Sequence, residues 1–363
     1  MTVEQLLESI VAIPSVSRDE RALAETLSTL LESRGAAVSR AGNNLWFEVG
    51  HGRPRLLLLS HLDTVPAGEG WTRDPHAGRW EDGRLVGLGA NDAKGCVAAM
   101  ADAALGLLES GAALDGTAVV AFTAEEEVGG GQIAALRREI GPIDAAVVGE
   151  PTSLDVCVAQ RGLLVLRCVA HGRTAHAAHG ELGLNAIHAA AADIARLAGM
   201  RLGSHPLLGE TRAQVTQIGG GRARNQVPDR CEFFVDLRTS PGTTPDEVVR
   251  RLGTELASEI HVHSARYVPC ATDETHPVVQ AALAASGRTA GTGSRTASDW
   301  AFLSDLPAVK VGPGDTLRSH CPDEYLTRDE LLAGASFYRQ LIPDCLRRLT
   351  AWTMPGHTSR EER

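Results

Sequence analysis

The sequence has no long apolar run and no cysteine arrangement of the kind that builds a disulfide framework. Its longest apolar stretches fall well short of the ~20 residues that a membrane span needs. The seven cysteines are odd in number and contain no C-x-x-C pair, which favours a reducing compartment, the cytoplasm. The N-terminal residues carry acids and lack the basic segment of a secretory signal.

The sequence also has fewer basic than acidic residues. Lys and Arg number 35 against 45 Asp and Glu, so the formal net charge is −10. This charge disfavours nucleic acid and anionic membranes as partners. The composition, with 43% hydrophobic and 22% charged residues, is ordinary for a folded protein. The length of 363 residues exceeds one typical domain of roughly 100–200 residues and predicts two domains.

Short apolar runs alternate with Ala- and Leu-rich stretches of helical spacing over residues 1–160. The runs at 55–60, 116–123 and 143–150 have the length and character of buried strands. This alternation predicts an α/β domain with a mixed, mainly parallel sheet and helices on both faces. The same pattern returns over 269–350, which we assign to the same domain.

Residues 161–268 have a different pattern of predicted strands and helices. Their predicted order of elements, β-α-β-β-α-β, is the ferredoxin-like arrangement, and it predicts a small α+β domain inserted into the larger one. An exposed sheet edge of this domain could pair with a second copy, so we expect a homodimer. The polar segment 351–363 is predicted to be a flexible tail.

Histidines and acids follow several predicted strands of the larger domain. In open parallel sheets, ligands bind outside the carboxyl ends of the strands. Each such residue alone has an ordinary explanation as a solvated loop residue or a helix cap. Their concentration on one edge of the sheet instead indicates a site. The residues at these ends are His61, Asp63, Asp92, Glu125, Glu126, Glu127, Glu150 and His320.

Two histidines with three or more carboxylates suit a divalent metal ion, Zn²⁺ first, with Co²⁺ or Mn²⁺ as alternatives. That many anions exceed what one tetrahedral zinc with a bound water can use. Two ions that share a carboxylate use them naturally, and such pairs lie ~3.5–4 Å apart. His61 and Asp63 are two residues apart on an extended segment, so we expect Asp63 to accept the ring N–H of His61.

The motifs around these residues resemble the dinuclear zinc M20 hydrolases, a metallopeptidase family. The likeness runs in order along the chain up to about residue 345. It rests on the segments SHLDTVPAGEGW, GLGANDAKG, TAEEEVGG, VVGEPTS, HGRTAHAAHGELGLNAI, NQVPDRCEFFVDLR and TASDW with a later histidine. The resemblance implies that Asp92 bridges two Zn²⁺ ions. It assigns His61 and Glu150 to one ion, and Glu127 and His320 to the other.

Roles for further residues are implied by the same resemblance. Glu126 matches the general base, and Glu125 is left with a supporting role. His176 in the inserted domain would reach the active site of the partner subunit, although a plain loop histidine is the alternative. Asn225 and Arg238 would bind substrate, the arginine through a carboxylate. The alternative for Arg238 is an exposed arginine at a strand end.

These assignments predict an amidohydrolase that removes the N-acyl group from an amino acid. The resemblance makes N-acetyl-L-ornithine the first expectation, cleaved to L-ornithine and acetate in arginine biosynthesis. The alternatives are N-acetylcitrulline, N-succinyl-diaminopimelate, a carrier-linked lysine or ornithine, and a small peptide. A non-catalytic binding protein on the same fold is the alternative from a different class.

Overall fold

The computed structural model describes residues 1–353, and the chain divides into two compact units. The larger unit comprises Met1–Val158, Ala271–Thr292 and the chain from Ser298 onward. The smaller unit comprises Ala159–Cys270 together with Gly293–Ala297. The sequence carried no signal that 293–297 would return to the smaller unit. Among the described helices, none is both long and apolar enough to cross a membrane.

The larger unit is built on a mixed sheet of nine strands within the described residues. Its order is β1-β2-β6-β3-β7-β17-β8-β15, with β16 pairing β8. The central strands β6, β3, β7 and β17 are mutually parallel, which confirms the mainly parallel sheet. The strands are β1 (Ser39–Ala41), β2 (Asn44–Gly50), β3 (Arg55–His61), β6 (Thr117–Thr123), β7 (Ala145–Val148), β8 (Cys157–Gln160), β15 (Cys270–Ala271), β16 (Thr292–Ser294) and β17 (Ala308–Lys310).

Helices and a small second sheet complete this unit. The central strands are fully buried, as Leu58 of β3 and Val120 of β6 illustrate. The helices are α1 (Val3–Val11), α2 (Arg21–Ser33), α3 (Lys94–Glu109), α4 (Ile133–Ile140), α7 (Pro277–Ser286) and α8 (Arg328–Thr353). The small sheet consists of β4 (Arg79–Glu81), β5 (Arg84–Val86) and β18 (Tyr325–Thr327).

The predicted tail 351–363 needs correction at its start. Residues 351–353 continue α8, because the helix keeps its backbone hydrogen-bonding pattern to Thr353. The remainder of the predicted tail lies outside the described residues.

The smaller unit has one antiparallel sheet of four strands, in the order β12-β13-β9-β14, and two helices. With the strands numbered along the chain, this is the ferredoxin-like order 4-1-3-2 read from β14. The elements are β9 (Gly162–His171), α5 (Ala186–Ala198), a hairpin of β10 (Ser204–His205) and β11 (Gly209–Glu210), β12 (Arg212–Gly220), β13 (Arg230–Thr239), α6 (Pro245–Glu255) and β14 (Glu259–Tyr267).

Local sequence signals explain how the elements of the smaller unit begin. Burial alternates along β13, whose residues Phe233 and Val235 are buried in the core of this unit. At the start of α6, the Thr244 hydroxyl accepts the Glu247 N–H, and the Glu247 carboxylate accepts the Thr244 N–H. This reciprocal capping box begins the helix at Pro245.

Candidate metal centre

The candidate centre lies at the carboxyl ends of β3, β6 and β7 in the larger unit. His61 is the last residue of β3 and pairs in register with Thr123, the last residue of β6. The N–H of Gly149, directly after β7, donates to the carbonyl of Leu59 at 2.7 Å. Parallel pairing thus brings the segments that follow these strands to one edge of the sheet.

Two groups of metal-binding side chains meet at this edge, and both include Asp92. In each group the ligand atoms lie within 4.8 Å of one another. In the first, His61 Nε2 is 3.3 Å from Asp92 Oδ1 and 4.0 Å from Glu150 Oε2. In the second, His320 Nε2 is 2.9 Å from Glu127 Oε1 and 3.8 Å from Asp92 Oδ2. Asp92 therefore offers one carboxylate oxygen to each group.

The donor set fits a pair of divalent metal ions. Imidazole nitrogens and carboxylate oxygens are the ligands that zinc and its neighbours prefer, and one carboxylate shared between two groups is the arrangement of two-metal sites. A third group, formed by His61, Glu126 and Glu127, lies at the same place. Glu126 thus lies beside His61 of the first group and Glu127 of the second. Asp92, Glu150 and His320 are the remaining members of these two groups.

The three adjacent glutamates have three different surroundings. Glu125 has a left-handed backbone, with φ of 64°, and its carboxylate accepts a hydrogen bond from Gln132 Nε2 at 2.8 Å. The chain then enters a single 3₁₀ turn over Glu126–Val128. Glu126 is buried and Glu127 contacts His320. The change of backbone conformation at Glu125 separates its side chain from the other two carboxylates.

The Asp63 carboxylate stabilises this turn through hydrogen bonds to its backbone, a role that the sequence did not predict. Its carboxylate accepts the backbone N–H of Glu126 at 3.0 Å, that of Glu127 at 3.1 Å, and the hydroxyl of Ser17 at 2.7 Å. The expected contact with the His61 ring is different: Nδ1 lies 2.9 Å from the backbone carbonyl of Asp63 and 3.6 Å from its carboxylate. His61 Nδ1 is thus nearer to the carbonyl of Asp63 than to its carboxylate, whose oxygens accept the two backbone amides, and the orienting role of Asp63 toward the His61 ring stays a prediction.

Burial and the closeness of charged groups change the pKa values of the titratable side chains in the site. Burial raises the pKa of Glu126 well above its usual value, and the nearby carboxylates of Asp299 and Glu150 raise it further, against the opposing effect of His61. Burial likewise raises the pKa of Glu150 to about 8. The hydrogen bond to Glu127 raises the pKa of His320 to about 9. Without cations, the cluster holds protons that metal ions would displace.

A clamp of hydrogen bonds between two loops, formed by Asn91 and Glu324, was not predicted from the sequence. One carboxylate oxygen of the buried Glu324 accepts the N–H of Asn91 at 2.8 Å and that of Asp92 at 2.9 Å. The Asn91 side chain donates to the carbonyl of Asp315 and accepts its N–H, at 3.0 and 2.9 Å. The loop carrying Asp92 is thereby fixed to the loop carrying His320. Only the closeness of Glu324 to His320 in the sequence hinted at this role.

Asp299, in the TASDW segment, is a second residue with no predicted role. It is buried, and its Oδ2 accepts the hydroxyl of Thr123, the residue paired with His61, at 2.8 Å. Within the described chain, its Oδ1 is buried without a hydrogen-bond partner. Burial raises the pKa of Asp299 to about 7. Asp299 therefore stabilises the carboxyl end of β6 through its hydrogen bond with Thr123.

The other predicted site residues lie in the smaller unit, and not all in one place. His176 and Asn225 line the same shallow cavity of about 350 Å³, and the Asn225 carbonyl accepts the N–H of Ala177. Arg238 lines a different cavity, and its guanidinium is paired with Asp236 at 2.8 and 3.1 Å. The structure thus brings His176 and Asn225 together and places Arg238 apart from them.

Comparison with known proteins connects this geometry to a family. The profile of Peptidase family M20/M25/M40 matches residues 57–344. Acetylornithine deacetylase of Klebsiella pneumoniae is 30% identical over 363 aligned residues, covering 89% of this chain and 92% of the relative. Acetylornithine deacetylase of Edwardsiella ictaluri is 30% identical, covering 93% of this chain and 96% of the relative.

Solved structures show the same fold at lower identity. Aminopeptidase PepT from Bacillus cereus superposes with a TM-score of 0.78 at 22% identity, covering 94% of this chain and 98% of that structure. A Bacillus subtilis protein described as a dinuclear metal binding peptidase of the M20 family has a TM-score of 0.74 at 17% identity, with 95% and 98% covered. Together with the two donor groups that share Asp92, these matches show that the chain belongs to peptidase family M20, the metal-dependent hydrolases.

Proposed function

We propose that this protein hydrolyses the amide bond of N-acyl-amino acids, with N-acetyl-L-ornithine, cleaved to L-ornithine and acetate, as the first substrate. The observation that carries the proposal is the pair of donor groups sharing Asp92, with Glu126 beside both. The choice of substrate is supported by the relatives named acetylornithine deacetylase at 30% identity. This substrate would place the enzyme in arginine biosynthesis.

The centre would be held by His61, Glu150, Asp92, Glu127 and His320. Two divalent ions bound there, zinc first and cobalt or manganese as alternatives, would polarise the scissile carbonyl and lower the pKa of the attacking water. The chain's own contribution is to fix the spacing of the ligands through Asp92 and to place a further carboxylate next to them.

Glu126 is that further carboxylate, and we assign it the proton transfers. It accepts a proton from the water as the water oxygen bonds to the amide carbon. It then donates this proton to the leaving nitrogen as the C–N bond breaks. Its buried position supports this role, because burial raises the pKa of Glu126 toward the range in which a carboxyl group both takes and gives a proton.

We further propose that the enzyme works as a homodimer. His176 would reach the partner's centre and donate to the developing oxyanion, and Asn225 in the same cavity would orient the acyl group. Arg238 would bind a substrate carboxylate. The seven free cysteines support a reducing compartment, the cytoplasm.

One experiment tests the proposal. The purified protein is analysed for bound metal and assayed for amine release from N-acetyl-L-ornithine, N-acetylcitrulline, N-acetyl-lysine and N-succinyl-diaminopimelate. We expect about two metal ions per chain and turnover that a chelator abolishes and added Zn²⁺ restores. A protein without metal that releases no amine from any of them would instead be a binding protein on this fold.

A further inference from the structure

The loop between α1 and α2, residues 12–20, contributes no predicted metal ligand, yet it lies against the chain that follows β3. The N–H of Thr64 donates to the carbonyl of Ser15 at 2.9 Å, and the N–H of Ser17 donates to the carbonyl of Thr64 at 3.1 Å. The hydroxyl of Ser15, a fully buried residue, donates to the carbonyl of Leu62 at 2.8 Å. The α1–α2 loop therefore holds the backbone immediately after β3.

The side chain of Ser17 extends this contact to the metal centre. Its hydroxyl donates to Asp63 Oδ2 at 2.7 Å, and the same oxygen accepts the N–H of Glu127 at 3.1 Å. Asp63 Oδ1 accepts the N–H of Glu126 at 3.0 Å. Hydrogen bonds to a charged acceptor are the stronger kind. The Ser17 hydroxyl thus restrains the Asp63 carboxylate in the orientation in which each of its oxygens accepts one amide of the turn.

A second residue of the α1–α2 loop, Glu20, holds the remaining amide of the turn. Glu20 is fully buried, and its Oε1 accepts the N–H of Glu125 at 3.2 Å and that of Arg18 at 2.6 Å. The three consecutive amides of residues 125–127 therefore all donate to carboxylates, the first to Glu20 and the next two to Asp63. One carboxylate belongs to the loop and the other is bound by it, so the loop supports the whole turn.

The backbone of the turn needs this support. Glu125 has a φ of 64°, in the left-handed region that residues other than glycine seldom adopt. Such a residue keeps this conformation only when surrounding contacts impose it. The chain passes through Glu125 into the 3₁₀ turn Glu126–Val128, so a rotation at this residue displaces the side chains that follow. Contacts to the amides of the turn therefore determine where the carboxylates of Glu126 and Glu127 lie.

We propose that Ser17 is a positioning residue of the metal centre, acting through the Asp63 carboxylate to place Glu126 and Glu127. Its role toward Glu126 rests on the proposed function, whereas its role toward Glu127 requires only that the centre binds metal. Groups that orient metal ligands change metal affinity by about 10- to 100-fold when they are altered. A small displacement of a catalytic group likewise lowers the rate of reaction. The loss of this one hydroxyl should therefore affect the ligand and the base together.

Stepwise titration of Co²⁺ into the metal-free, full-length protein tests the role toward Glu127 without substrate. We expect Ser17→Ala to weaken one of the two Co²⁺ ions about tenfold and to change its visible absorption spectrum, which depends on the coordination geometry of the ion. Ser17→Thr, which keeps a hydroxyl, should bind Co²⁺ like the wild type. Ser33→Ala is the matched control, because the Ser33 hydroxyl donates to the carbonyl of Leu30 in α2. In the enzyme loaded with both ions, Ser17→Ala should lower kcat at least about tenfold, with KM changed by less than about twofold.

The outcomes separate the two roles of Ser17 from each other and from the proposed function. Ser17→Ala that matches Ser33→Ala in Co²⁺ affinity, spectrum and kcat would overturn the inference, and so would an effect confined to the melting temperature. A change in Co²⁺ binding alone supports the role toward Glu127 and overturns the role toward Glu126, and a change in kcat alone does the reverse. Should Ser17→Ala not fold, Ser17→Thr and Ser17→Val, which are equal in shape and differ in the hydroxyl, give the same comparison. A wild type that binds metal but hydrolyses no N-acyl-amino acid counts against the proposed function alone, since the Co²⁺ titration still tests the role toward Glu127.

Discussion

Each residue of the triplet Glu125–Glu127 has its own contacts, and the consequences of replacing them differ. Glu126 is buried beside both donor groups, whereas Glu125 contacts Gln132. We expect Glu126→Gln to lower kcat by about 10²- to 10⁴-fold, the usual contribution of a general base, with metal content unchanged. Kinetics and metal analysis on the same preparation measure both. Glu125→Gln, the matched control, should retain activity. Loss of metal in Glu126→Gln would mean that Glu126 is a ligand.

The protons held by the ligands at neutral pH predict how metal uptake depends on pH. In the metal-free protein, the pKa of Glu150 is raised to about 8 and that of His320 to about 9, and the pKa of His61 is raised well above its usual value because the surrounding carboxylates outweigh its burial. All three groups therefore hold protons at pH 7, and coordination requires them to lose these protons. We expect loading of both ions at pH 7 to release about three protons from these groups, and affinity to rise with pH toward 9. Calorimetry in buffers of different ionisation enthalpy counts the protons. Metal binding without proton release at pH 7 would contradict the assignment.

At the scale of elements, the clamp of hydrogen bonds formed by Asn91 and Glu324 fixes the loop carrying Asp92 to the loop carrying His320. It therefore fixes the positions of two members of the second donor group. Glu324→Gln replaces the carboxyl oxygen that accepts the N–H groups of Asn91 and Asp92 with an amide oxygen, while leaving the size of the side chain unchanged. We expect affinity for one ion to fall about 10- to 100-fold, as when groups that orient ligands are altered. The other ion, held by His61 and Glu150 as well, should be affected less.

Stepwise metal titration of the apoprotein measures the two affinities of this variant. Asp323→Asn is the control, because the Asp323 carboxylate accepts from Thr72 and not from either ligand loop. Equal weakening of both ions, or none, would show that the clamp does not act on the second group.

Elements with strong sequence signals were predictable, and contacts between distant loops were not. β3 and β6 are continuous apolar runs, and their ends carry His61 and the glutamate triplet, so the edge of the sheet that bears the site follows from the sequence. Glu324 and Asp299 act through backbone and hydroxyl contacts more than 170 residues away in the chain. Such pairings depend on how loops meet in three dimensions, and no local pattern encodes them.

At the scale of the whole molecule, the proposed homodimer makes a prediction about mixing subunits. If His176 acts on the partner's centre, His176→Ala and Glu126→Gln each inactivate a homodimer by removing a different part of the same composite site. A mixture that exchanges subunits should regain activity, because one site of each heterodimer has both residues. Gel filtration establishes the dimer, and activity after mixing measures the exchange. A monomer, or a mixture as inactive as its parts, would refute the role of His176 in the partner.

The order of the ligands along the chain has a consequence for biosynthesis. His61, Asp92 and Glu150 all precede the smaller unit, which begins at Ala159, whereas His320 follows it. One donor group is therefore encoded entirely in the part of the chain that leaves the ribosome first. The other is completed only when His320, after the smaller unit, has been synthesised. A product truncated before residue 320 would therefore carry all the residues of only one donor group.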